Sequence, residues 1–105
     1  MTIEEAKAFI PKEFVIACNK ITTKIVDEGE DFGSFDSLRN TINISLGVRD
    51  ASGNLVIFTK EQVQNTYYHE VFHCFNYFFN TEMDEALAQT FANFMCEYLT
   101  SQTNY

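Results

Sequence analysis

The chain has 105 residues, 46% of them hydrophobic and 15% aromatic, and carries a formal net charge of −8 at neutral pH. This is enough for one compact domain over residues 1–105, too short for two ordinary cores, and too apolar for a disordered segment. The acidic balance argues against nucleic acid or an anionic membrane as partner, since each favours a basic face.

No tract approaches the roughly 18 apolar residues of a membrane span. Met1-Thr2-Ile3-Glu4-Glu5-Ala6-Lys7 is acidic and lacks the basic leader and apolar centre of a signal peptide. A soluble, cytoplasmic location is therefore expected. Cys18, Cys74 and Cys96 are odd in number and have no CxxC spacing, which favours reduced thiols over a disulfide framework.

In chain order, Thr2-Ile3-Glu4-Glu5 matches a capping box and predicts a short helix over 3–9 that stops before Pro11. Residues 13–27 place Phe14, Cys18, Ile21 and Ile25 at helical spacing, but the segment is rich in β-branched residues. A β-hairpin turning at Cys18-Asn19-Lys20 is the favoured reading. Residues 28–31 form a polar loop and 32–35 a short strand. The alternation in 41–46 marks a strand with one buried face. Asp50-Ala51-Ser52-Gly53-Asn54 is turn chemistry, followed by a further strand over 55–58.

Thr59-Lys60-Glu61-Gln62 is a second capping box and opens a helix reaching Phe79, where Asn80 breaks it. Val63, Val71, Phe75 and Phe78 are available for its buried side. Thr81-Glu82-Met83-Asp84 is a third capping-type start, for a helix running to about Leu99. So short a connection makes the two helices antiparallel neighbours. The expected fold is α+β: a small, mostly antiparallel sheet packed on an antiparallel helical hairpin, with a short N-terminal helix.

The first long helix carries His69-Glu70-Val71-Phe72-His73, which holds the only two histidines of the chain. Histidines four apart project from one helix face, where both imidazoles can bind a single zinc ion. Glu70, beside the first histidine, suits a general base that takes a proton from a water acidified by the metal. Cys74 follows His73 directly but points about 100° away on a helix, so it reads as a packed thiol.

A catalytic zinc needs a third protein ligand. No third histidine and no HxxGxxH continuation is present, which excludes a metzincin-type site. The following helix offers Glu82, Asp84, Glu85, Cys96 and Glu97. Glu82 sits too near the turn, Glu97 about three turns too far along, and Asp84 is better explained as the capping partner of Thr81. Glu85 is the best candidate ligand, with Gln89 one turn later placed to orient one. Tyr67, Tyr68 and Tyr77 flank the motif and could hold an oxyanion, but each is better read as a packed aromatic. The run Cys74-Phe75-Asn76-Tyr77-Phe78-Phe79 reads as core plus partner surface.

These features resemble the small gluzincin-type metallopeptidases, the minigluzincins, known from phages and bacteria. The resemblance rests on Thr66-Tyr67-Tyr68-His69-Glu70-Val71-Phe72-His73 and on Asp84-Glu85-Ala86-Leu87-Ala88-Gln89-Thr90-Phe91-Ala92. It is supported by Pro11-Lys12-Glu13-Phe14-Val15-Ile16, by Ile21-Thr22-Thr23-Lys24-Ile25-Val26-Asp27, and by strand-like segments at 32–36 and 40–44. It implies zinc held by His69, His73 and Glu85, Glu70 as base, and a peptide or protein substrate. It also implies that an exposed sheet edge at 41–46 pairs with the substrate backbone. The segment 47–60 is longer than the resemblance leads one to expect and could shape or cover the cleft.

Zinc-dependent peptide hydrolysis is the leading expectation. A zinc-stabilised binding module on the same scaffold, silent or self-blocked, is the alternative. A structural protein with incidental histidines is the third.

Overall fold

The computed structural model describes residues 1–82 and 84–103; Met83, inside the expected capping segment, lies outside them. The architecture is α+β. Helix α1 (Ile3–Lys7) forms where the capping box predicts: Glu5 donates its backbone N–H to Thr2 Oγ1, and the Thr2 N–H is taken by the Glu5 carboxylate. It is shorter than expected, ending two residues before Phe9, and buries Ala6 completely.

Residues 13–27 are a hairpin, not a helix: β1 (Glu13–Ile16) pairs antiparallel with β2 (Asn19–Val26). The turn falls on Ala17-Cys18, one residue earlier than the sequence suggests, with φ of 47° and 64°. A two-residue loop matched to the right-handed strand twist needs both positions left-handed, so Asn19 and Lys20 are already paired within β2.

Strand β3 (Gly33–Asp36) and strand β4 (Thr41–Ser45) complete a four-stranded sheet in the order β1-β2-β4-β3. Most pairings are antiparallel, but β4 runs parallel to β2, with Thr22 opposite Thr41 and Val26 opposite Ser45. The chain crosses to the far edge as β3 and returns to fill the gap as β4. Thus β4 is paired on both sides and cannot be the exposed edge expected at 41–46; its buried Ile42 and Ile44 make it the central strand. Each fully buried isoleucine contributes about 1.5–3 kcal/mol. Strands β5 (Gly47–Arg49) and β6 (Leu55–Ile57) form a separate antiparallel hairpin.

Helix α2 (Lys60–Phe79) opens on the reciprocal Thr59/Gln62 capping box and closes at left-handed Asn80, both as its sequence predicts. It packs on β1, β3 and β4 and buries Val63, Tyr67, Glu70, Phe72 and Cys74. Phe75, expected on the buried side, is instead exposed, as are Tyr77 and Phe79. The sheet and the next helix cover only part of the α2 circumference.

Helix α3 (Glu85–Ser101) starts at Asp84, not Thr81: the Asp84 carboxylate accepts the Leu87 N–H at 2.9 Å. Thr81 turns back on α2 instead, donating its hydroxyl to Asn76 Oδ1 at 2.6 Å. Small residues Ala88 and Ala92 are fully buried, and Phe91 meets Phe72 at 5.0 Å between ring centroids. The main packing partner of α3 is α2. No helix among the described residues is long and apolar enough to cross a membrane.

Candidate metal centre

The four-residue spacing stacks His69 and His73 on one face of α2, with ring centroids 4.7 Å apart. Ligand atoms of His69, Glu70 and His73 all lie within 4.8 Å of one another, a grouping able to hold a metal ion. Across the hairpin, Asp84 caps α3 so that Glu85 is its first residue and faces the histidines. Its carboxylate touches both imidazoles: Oε2 lies 2.8 Å from His69 Nε2 and Oε1 lies 3.0 Å from His73 Nε2.

Two imidazole nitrogens and the Glu85 carboxylate therefore meet, a donor set that suits a divalent metal ion. The other carboxylates offered by the sequence stand apart. Glu82 and Glu97 are exposed, and Asp84 is committed to the α3 cap. Cys96 packs beside Asn65, and burial raises its thiol above the ordinary range.

Glu70 points to the inner side of the site and is only 7% exposed. Burial pushes its carboxyl up to about 7; the neighbouring His69 opposes the rise and Glu85 adds to it. A carboxyl poised near neutrality can take a proton and return it. Glu85 is open to solvent, with a side chain 75% exposed. Cys74 is fully buried and its thiol is pushed up to about 12, chiefly by burial, so it is packing material, as its angle from His73 predicts.

Gln89 lies one turn past Glu85, with its Oε1 3.1 Å from His69 Nδ1. Its amide nitrogen donates to Asn65 Oδ1 at 2.7 Å and to Asn93 Oδ1 at 3.0 Å, and Asn65 Nδ2 donates to Asn93 Oδ1 at 2.7 Å. Sequence reasoning found Gln89 but missed both asparagines. The available signal was spacing: Asn65, His69 and His73 form one stripe four residues apart, and Glu85, Gln89 and Asn93 form the stripe that faces it.

The site opens on a cleft of about 510 Å³ whose lining includes Phe32, Gly33, Asn65, Thr66, His69, Glu70 and Gln89. Gly33 lets β3 approach α2 closely, for a Cβ there would stand 2.7 Å from Thr66 Cγ2 and 2.9 Å from the Asn43 carbonyl oxygen. No residue of 47–60 lines this cleft, but the Phe58 ring supports Phe32 of the lining at 4.6 Å.

None of the three tyrosines considered for an oxyanion lines it either. Tyr67 is buried, with its phenol held neutral by burial, and Tyr68 packs edge-on against it at 5.1 Å. Tyr77 departs from its expected packing: it is 58% exposed, although one edge meets Phe35.

Compared with known proteins, the chain finds no match: no family model, no curated protein and no solved structure matches it.

Proposed function

We propose that this chain is a zinc-dependent peptidase of the small gluzincin kind, in which His69, His73 and Glu85 hold the metal and Glu70 is the general base. The observation that carries the reading is the meeting of the Glu85 carboxylate with both histidine Nε2 atoms, beside a buried carboxyl of raised pKa. Bound zinc would supply Lewis-acid chemistry, polarising a carbonyl and bringing the pKa of a water to about 7.

The residues of the chain do the rest. Glu70 accepts the proton of the attacking water and passes it to the leaving amine. Burial raises its carboxyl to about 7, which matches its basicity to neutral pH. Strand β3 is the sheet edge nearest the cleft and suits an extended peptide added as a further strand. It replaces the segment 41–46 in that role. The test is zinc content of the purified chain and of His73→Ala, with peptide hydrolysis by the wild type and Glu70→Gln. About one zinc per chain, lost in His73→Ala, with hydrolysis lost in Glu70→Gln, is the expected result. Absence of zinc after reconstitution would overturn the reading.

One observation favours the alternative of a zinc-stabilised binding module. Among the described residues, the cleft lining contains no arginine, lysine or tyrosine to hold a developing oxyanion. Zinc binding without hydrolysis of any peptide in a broad library would select that alternative.

A further inference from the structure

The facing stripes of α2 and α3 hold a closed network of side-chain amides that reaches His69. Gln89 spends both amide hydrogens, one on Asn65 Oδ1 and one on Asn93 Oδ1. What it turns toward His69 is therefore its oxygen, 3.1 Å from Nδ1. An amide oxygen accepts, so this contact suits the His69 tautomer with its proton on Nδ1, the one whose Nε2 can ligate a metal. Nε2 itself faces Glu85 Oε2 at 2.8 Å.

We propose that Asn65, Gln89 and Asn93 form a positioning network for the metal, fixing His69 with Nε2 free to ligate and joining the ligand-bearing faces of both helices. The inference rests on the zinc-binding reading above. Asn65 and Asn93 act through Gln89. Each removes one rotational option of its amide, so the oxygen cannot turn away from His69. Such partners of a ligating histidine commonly set metal affinity by about 10–100-fold.

The experiment is zinc affinity, by competition with a chromophoric chelator, for wild type, Gln89→Met, Gln89→Glu and Asn93→Ala. Gln89 and Asn93 are exposed, so the substitutions leave the core alone; melting of the zinc-free proteins controls for folding. Gln89→Met, similar in length but without an acceptor, should bind zinc about 10–100-fold more weakly. Gln89→Glu restores an acceptor and should bind within a few-fold of wild type. Asn93→Ala should lose a few-fold.

The spectroscopic reading is the His69 Nδ1 proton in the zinc-loaded protein, compared with that of His73. It should be protected from solvent exchange in the wild type and Gln89→Glu, and lost to exchange in Gln89→Met. Zinc affinity and proton protection both unchanged in Gln89→Met would overturn the network while leaving the zinc site standing. A wild type that binds no zinc would overturn the site itself.

Discussion

Glu70→Gln separates chemistry from stability, and its effect on stability has a calculable size and sign. The Glu70 carboxyl is 7% exposed and raised from an ordinary 4.5 to about 7, mainly by burial. Between those two values the folded chain keeps a proton that the unfolded chain has already released. Stability of the zinc-free protein therefore falls as pH rises through that window. The interval corresponds to about 3 kcal/mol at full ionisation, at 1.36 kcal/mol for each pH unit.

Glutamine is neutral at every pH and nearly isosteric with the protonated acid. With chelator present, Glu70→Gln should match the wild type at pH 5 and be more stable by up to about 3 kcal/mol at pH 8. For a domain of this length that is a rise in Tm on the order of 10–20 °C. The assay is thermal or urea unfolding at both pH values, with zinc affinity measured in parallel and expected to change little. A difference between the two proteins that is the same at pH 5 and pH 8 would refute the reasoning, because Glu70 would then titrate alike folded and unfolded.

Three further outcomes follow from the geometry. Asp84→Ala removes the α3 cap and should cost about 1 kcal/mol; because Glu85 is the next residue, zinc affinity by chelator competition should fall with it. Gly33→Ala drives a Cβ into Thr66 and the Asn43 carbonyl, and should destabilise by about 1–3 kcal/mol in urea unfolding; Thr66→Ser removes the Cγ2 contact and should recover part of that loss. Because α3 packs chiefly on α2 and carries Glu85, zinc should slow amide hydrogen exchange along α3 more than along the β2–β4 core; equal protection of both would contradict the proposed ligand set.

Much of the site was legible because its signals are local. Capping boxes at Thr2 and Thr59, the stop at Asn80 and the alternation around Ile42 and Ile44 depend on neighbours within about four residues. The same holds for the stacking of His69 and His73 on one helix face. Glu85 and Gln89 could be singled out because a short connection limits which turns of two antiparallel helices face each other.

Long-range pairing was decided only by the tertiary structure. Nothing within residues 41–46 says that β4 is central and parallel to β2, since a half-buried strand shows the same alternation at an edge or in the middle. Nor does the aromatic run after Cys74 reveal which rings meet the sheet and which meet water; that depends on how much of α2 its neighbours cover. The start of α3 moved to Asp84 because Thr81 found a better partner across the turn, in Asn76. By itself the sequence determined the elements and the chemistry of the histidine face, through local hydrogen bonds and helical spacing. Which strand edges the cleft, and which asparagines back Gln89 beside His69, emerged only when distant segments competed for the same surfaces.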